Sequence, residues 1–196
     1  MDNRIAQQIN FILEIDKLKN ILRQNKIADN SRPENTAEHS WHIAMMAIIL
    51  AEYALPETDL LRAIQMLLIH DIVEIDAGDV FCYDTLALQG KSERERQAAS
   101  RLFGLLPDDQ GKFLLQLWLE FEETATPTAK YAAALDRLQP LFLNQKTYGG
   151  TWVKHDIKRS QVMQRVAAVQ EGIPPLWSVV REIIETCVEA GYLKAV

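Results

Sequence analysis

Apolar residues recur every three or four positions along most of the chain, and no segment alternates apolar with polar residues for long. This periodicity predicts helices and no sustained strand. A first helix is expected over residues 3–24, with Ile5, Ile9, Ile12, Ile15, Leu18 and Leu22 as its inward stripe. The polar stretch NKIADNSRPENTAEHS follows. Within it, Asn35 or Thr36 can cap a second helix that runs to about Leu55, before Pro56. Asp59 can cap a third, which ends before Gly78, and residues 78–91 read as a loop. SERERQAASRLFGLL reads as a helix with a charged outer face, and Pro107 restarts the chain into DDQGKFLLQLWLEFEE. Thr126 and Pro127 open a further helix, which Pro140 should kink or end. KTYGGTWVK reads as a loop. Two more helices, HDIKRSQVMQRVAAVQEG and PPLWSVVREIIETCVEAGYL, complete the pattern. The expectation is an all-α single domain over residues 1–196, a bundle of about seven to nine helices.

Composition narrows this picture. The 196 residues suit one domain, and 48% hydrophobic residues are enough for a core without staples. Cys82 and Cys187 make no disulfide framework, which points to a reducing cytoplasm. MDNRIAQQ lacks the basic and apolar regions of a signal peptide. The longest apolar run, IAMMAIILA at 43–51, is too short to span a bilayer. A net charge of −6 argues against binding to nucleic acid or anionic membranes, but leaves room for a small anionic substrate in a local basic pocket.

The chemistry concentrates in HDIVEIDAGD, residues 70–79, which closes the apolar run AIQMLLI. On a continuous helix, at about 100° per residue, His70, Asp71 and Glu74 fall within roughly a 100° arc. One turn earlier that arc carries Ala63, Met66 and Leu67, so the acids point inward. Buried carboxylates are costly without compensating positive charge, and a divalent cation supplies it. The alternative is a helix-end cluster exposed near Gly78. Asp136 repeats the anomaly one turn after Ala132 and Ala133; its alternatives are exposure or an ion pair with Arg137. His39 and His42 lie in the first turns of the second helix. Imidazole and carboxylate ligands together suit Mn²⁺, Fe²⁺, Co²⁺, Ni²⁺ or Zn²⁺, and Mg²⁺ less well.

The order His39, then His70-Asp71, then Asp136 resembles the H…HD…D signature of the HD-domain metal-dependent phosphohydrolases. RPENTAEHS (32–40), HDIVEIDAGD (70–79) and KYAAALDRLQP (130–140) resemble a short branch of that superfamily. That branch includes bacterial 5′-deoxynucleotidases and human HD-domain-containing protein 2, and the resemblance spans about residues 10 to 190. It implies that His39, His70, Asp71 and Asp136 hold one divalent metal cation (Mn, Co, Fe, Ni, Zn or Mg). It implies that Glu74 handles the attacking water, that Asp79 is a second catalytic acid, and that Arg23 contacts the substrate phosphate. His42 has no part in the pattern. The implied activity is a 5′-nucleotidase releasing inorganic phosphate from nucleoside or deoxynucleoside monophosphates, and the relatives are commonly homodimers. LWSVVREIIETCVEAGY offers apolar residues on more than one side of its helix, the kind of surface that wants a partner.

One departure stands out. The deoxynucleotidase relatives place a tryptophan beside the arginine; here Gln24 follows Arg23, so deoxyribose selectivity does not simply carry over. Lys154, Lys158 and Arg159 read as a solvated helix face rather than a phosphate site. Two other classes stay open: another HD reaction, on a phosphodiester or with release of pyrophosphate or triphosphate, and a helical binding module with a structural metal.

Overall fold

In the computed structural model, which describes residues 3–196, helices carry nearly all the regular structure, as the periodicity requires. Met1 and Asp2, part of the expected domain, lie outside the described residues. The chain opens on α1 (Asn3–Ile15) and tightens into a 3-10 turn at Asp16–Asn20. It then straightens into β1 (Leu22–Lys26), which pairs antiparallel with β2 (Pro33–Asn35). The helix expected over 3–24 therefore stops at Ile15, and of its expected stripe only Ile15 and Leu18 meet the core. Ile5, Ile9 and Ile12 are exposed, whereas Phe11 and Leu18 turn inward. The ribbon leaves no mark in the hydrophobic pattern because β1, LRQNK, holds one apolar residue and that one faces out.

Asn35 caps α2 (Thr36–Ile49) with a capping box: its side chain accepts from Glu38 N at 2.9 Å, and Glu38 accepts from Asn35 N at 3.2 Å. α2 ends earlier than expected, and a 3-10 turn at Ala51–Tyr53 takes its place. Asp59 caps α3 (Leu60–Ile69), accepting from Arg62 N at 3.0 Å. The third helix is not continuous to Gly78. It tightens at residues 70–73, where Ile72 N donates to Ile69 O (3.1 Å) and Glu74 N to Asp71 O (3.0 Å), before α4 (Glu74–Ala77). Such i→i+3 bonding turns about three residues per turn, so residues three apart, Asp71 and Glu74, share one side. Gly78, at φ 74°, ends α4 in a backbone region that only glycine enters freely.

After the loop come α5 (Lys91–Phe103), α6 (Asp108–Glu123) and α7 (Pro127–Lys146), the last capped by Thr126. α7 does not end at Pro140. The ring removes only the N–H that would reach the Asp136 carbonyl, and Asn144 Nδ2 donates to Pro140 O at 3.0 Å one turn on. The segment read as a loop at KTYGGTWVK contains α8 (Gly150–Lys154), entered through left-handed Tyr148 and Gly149. The helix expected after it divides into α9 (Arg159–Val166) and α10 (Ala168–Gly172), and α11 (Trp177–Glu189) closes the fold.

α7 is the central strut. Tyr131, Leu135 and Leu138 are fully buried against Ile43 and Ala47 of α2 and Met66 and Leu67 of α3. Each such apolar side chain contributes about 1.5–3 kcal/mol. The small residues of α7 let α10 approach so closely that a Cβ on Gly172 would lie 2.2 Å from the Lys130 carbonyl. A second cluster, including Phe11, Ile72, Val73, Phe103 and Trp118, lies beneath α5 and α6. Ile69 packs against both clusters, so the turn at 70–73 is clamped between them. Trp118 Nε1 donates to His70 O at 3.1 Å and pins it further. No helix among the described residues is long and apolar enough to cross a membrane.

Candidate metal centre and adjoining cleft

Three elements deliver four potential ligands to one point: α2 gives His39, the turn after α3 gives His70 and Asp71, and α7 gives Asp136. His39 Nε2 lies 2.9 Å from Asp136 Oδ1 and 3.9 Å from Asp71 Oδ2. His70 Nε2 lies 3.1 Å from Asp71 Oδ2 and 3.7 Å from Asp136 Oδ1. One ligand atom each from His39, His70 and Asp136 falls within a 4.8 Å span.

The hydrogen bonds behind the rings decide what this arrangement wants. His70 Nδ1 donates to Leu67 O at 3.0 Å, which leaves a lone pair on Nε2. That buried nitrogen has no hydrogen-bond partner. His39 Nδ1 faces Gln139 Oε1 at 3.1 Å, which likewise directs its Nε2 lone pair at the carboxylates. Burial and the nearby Arg23 charge hold the His39 imidazole well below its ordinary pKa, so it is neutral at pH 7. The two lone pairs repel the two carboxylates, whose charge Arg23 and Arg137 offset only in part, and a divalent cation fits that donor set. Asp136 also satisfies its other expectation: Oδ2 takes Arg137 while Oδ1 faces the imidazoles.

Around this point stand the remaining candidates. Glu74 is buried, and its Oε2 accepts from Thr36 Oγ1 at 2.9 Å. Burial, helped by the Asp71 charge, pushes its carboxyl up to about 8. Burial raises the pKa of Asp79 against the pull of Arg23. Arg23 Nη1 donates to Asp71 Oδ2 at 2.9 Å. Glu74, Asp79 and Arg23 open with His70, Asp71 and Asp136 onto one cleft holding about 1020 Å³ of empty space, part of it open to solvent. Its outer walls carry Phe81, Tyr83, Trp152, Arg137 and Arg165.

His42 is outside the ligand cluster; its Nδ1 lies 3.2 Å from Gln139 Nε2. Gln24 reaches the cleft edge, where Lys154 Nζ donates to its Oε1 at 3.1 Å, so the loop-turned-helix α8 shapes that side. Arg159 pairs with Glu185, away from the cleft. Sequence reasoning misses Glu34 and Gln139, both buried behind His39. Their sequence signals are faint, since an acid in RPEN and a glutamine in DRLQP are unremarkable locally.

The HD-domain family profile matches residues 15–177. Human 5′-deoxynucleotidase HDDC2 is 30% identical over 132 residues, 67% of this chain and 63% of that one, so the match spans under two-thirds of that relative's length. The Xenopus laevis protein of the same name is 29% identical over 177 residues, 83% of this chain and 86% of that one. A crystal structure from Magnetospirillum magnetotacticum, described as a predicted metal-dependent phosphohydrolase, superposes with a TM-score of 0.95 at 51% identity, covering 98% of this chain and 97% of its own. The chain belongs to the HD-domain family.

Proposed function

We propose that this protein is a metal-dependent phosphomonoester hydrolase, a 5′-nucleotidase that releases inorganic phosphate from nucleoside or deoxynucleoside monophosphates. The observation that carries the reading is the convergence of two imidazole lone pairs on Asp71 and Asp136, beside Arg23, Glu74 and Asp79. The deoxynucleotidase relatives and the phosphohydrolase structure support the reaction class.

In this reading His39, His70, Asp71 and Asp136 hold the cation. When bound, it would supply Lewis-acid polarisation of the phosphoryl group and a water of lowered pKa. Arg23, anchored on Asp71, neutralises non-bridging phosphate oxygens. Glu74, one tight turn from Asp71 and ionised once the cation's charge is present, would take the proton of the attacking water through the carboxylate that Thr36 orients. Asp79, on the same cleft, gives a proton to the leaving alkoxide. The products are a nucleoside and phosphate.

We infer a homodimer as well, but through a different face from the C-terminal helix. Val180, Ile184 and Cys187 of α11 are buried within the chain. Trp41, Met45, Ile48 and Ile49 instead form an exposed stripe on α2, at the spacing of one helix face. The two unpaired thiols, Cys82 and Cys187, support a reducing compartment such as the cytoplasm. The deciding experiment is a phosphate-release screen over nucleotides and other phosphomonoesters, repeated with Mn²⁺, Co²⁺, Mg²⁺ and Zn²⁺. Phosphate from AMP or dAMP supports the reading. Pyrophosphate or triphosphate from nucleoside triphosphates, or no turnover with any cation, overturns it.

A further inference from the structure

Glu34 is the acid of this centre that faces away from the cation site. It comes from β2 and is 3% exposed. Its Oε1 accepts from Gln139 Nε2 at 2.6 Å. Its Oε2 lies 3.7 Å from His39 Nδ1 and 3.8 Å from Arg23 Nε. Neither Glu34 Oε2 nor Arg23 Nε has a hydrogen-bond partner, although both are buried. The His39 ring stands between Glu34 and the converging ligands: Nδ1 looks to Glu34 and Gln139, Nε2 to Asp136 and Asp71. Glu34 therefore cannot share a cation with them.

Hydrogen-bond polarity says what it does instead. Glu34 Oε1 accepts from the NH₂ of Gln139 whether or not Oε2 carries a proton, which leaves the amide oxygen facing His39. That oxygen only accepts, so His39 carries its proton on Nδ1 and keeps the Nε2 lone pair for the cation. The second amide proton is directed at His42 Nδ1, at 3.2 Å, which holds the amide from another side. The other oxygen of the same carboxylate stands beside Arg23 Nε, while Arg23 Nη1 holds Asp71. One acid thus stands behind both a cation ligand and the phosphate arginine.

We propose that Glu34 is a positioning residue that couples cation affinity to phosphate affinity, through Gln139 and His39 on one arm and Arg23 on the other. The phosphate arm rests on the reading of Arg23 given above; the cation arm does not. The test uses the whole protein, stripped with a chelator. Co²⁺ is titrated in and followed by calorimetry and by its visible absorption, and inorganic phosphate is then titrated into the Co²⁺-loaded protein. Glu34→Gln should weaken Co²⁺ binding about 10-fold or more, the loss usual for a partner behind a metal ligand. It should also shift the Co²⁺ band and weaken phosphate binding. Gln139→Met should lose Co²⁺ affinity and spare phosphate affinity, and Arg23→Met should lose phosphate affinity. Added to Gln139→Met, Glu34→Gln should cost no further Co²⁺ affinity; added to Arg23→Met, no further phosphate affinity. Losses that add in full in both double variants describe a general structural defect and overturn the proposal. So do affinities of Glu34→Gln within about twofold of the parent protein, the scatter of independent sites. Should Glu34→Gln fail to fold by circular dichroism, Glu34→Asp keeps the charge but withdraws it from Gln139, and the same two losses are expected. A parent protein that hydrolyses no monoester ends the proposed activity yet leaves both titrations readable.

Discussion

His70 Nε2 faces Asp71 Oδ2 at 3.1 Å as acceptor against acceptor, because the ring carries its proton on Nδ1, toward Leu67 O. Arg23 Nη1, 2.9 Å from the same oxygen, relieves that contact only in part, and a bound cation would relieve it fully. Asp71→Ala should therefore purify with far less than one equivalent of metal, and added Mn²⁺ should no longer raise its melting temperature. Full occupancy of the variant by elemental analysis would remove Asp71 from the ligand set.

The contribution of Glu74 and Glu34 to the stability of the metal-free protein should fall as pH rises. Glu74 is raised from 4.5 to about 8 by burial and the Asp71 charge, and Glu34 from 4.5 to about 7, chiefly by burial. Between these values the folded protein keeps protons that the unfolded chain has released. Their contribution is complete below 4.5 and is lost as pH climbs through about 7 and 8. Glu74→Gln copies the protonated carboxyl and removes one of these dependences. In chelator it should melt with the parent at pH 5 and above it at pH 8, by roughly 2–4 °C for each kcal/mol. Parallel melting curves across that range would show that Glu74 is not held protonated.

The sequence exposes most of the centre and hides its support, for physical reasons. His70, Asp71, Glu74 and Asp136 are legible because charge interrupts an apolar face, and burial of that face is set by local periodicity. Arg23 carries no such signal and enters only through the family resemblance. Glu34 and Gln139 meet across 105 residues, by pairing of a nearly polar ribbon against α7, and no local pattern records that. The same ribbon cuts the first helix, so Ile5, Ile9 and Ile12 form a regular apolar stripe that the fold leaves exposed. The acids of HDIVE share a side through a tightened turn, not along a continuous helix, because the backbone shifts to i→i+3 bonding at residues 70–73.

Oligomeric state tests the exposed face of α2. Trp41→Glu combined with Ile48→Glu places two charges on the stripe without touching the core, since both side chains are more than half exposed. Light scattering at micromolar concentration should report a dimer for the parent and a monomer for the variant. A parent that is already monomeric counts decisively against the interface.

Sugar preference should be shallow. Gln24 stands where deoxyribose-selective relatives carry a tryptophan, and Lys154 holds its amide oxygen at 3.1 Å. A flat ring excludes a 2′-hydroxyl by contact, whereas a flexible amide can hydrogen-bond it. kcat/KM for AMP and dAMP should agree within about tenfold, or 1.4 kcal/mol. A dAMP preference above about a hundredfold, roughly 2.7 kcal/mol, would assign the sorting to another residue.

Glu74 and Asp71 lie on one side of the same turn, yet they should fail differently. Glu74 is held by Thr36 Oγ1 at 2.9 Å, while Asp71 faces both imidazoles. Glu74→Gln keeps size and hydrogen-bonding reach but removes the basic carboxylate. It should retain metal and lose about 10²–10⁴ in kcat, the usual worth of general base action. Asp71→Asn weakens the cation site itself, so excess cation should restore part of its activity. Titrating Mn²⁺ or Co²⁺ into both variants while following phosphate release separates the two. Recovery of Glu74→Gln by excess cation would make Glu74 a ligand or a ligand's support. Turnover at the parent rate without rescue would place the base elsewhere, and Asp79, across the same cleft, is then the first residue to replace.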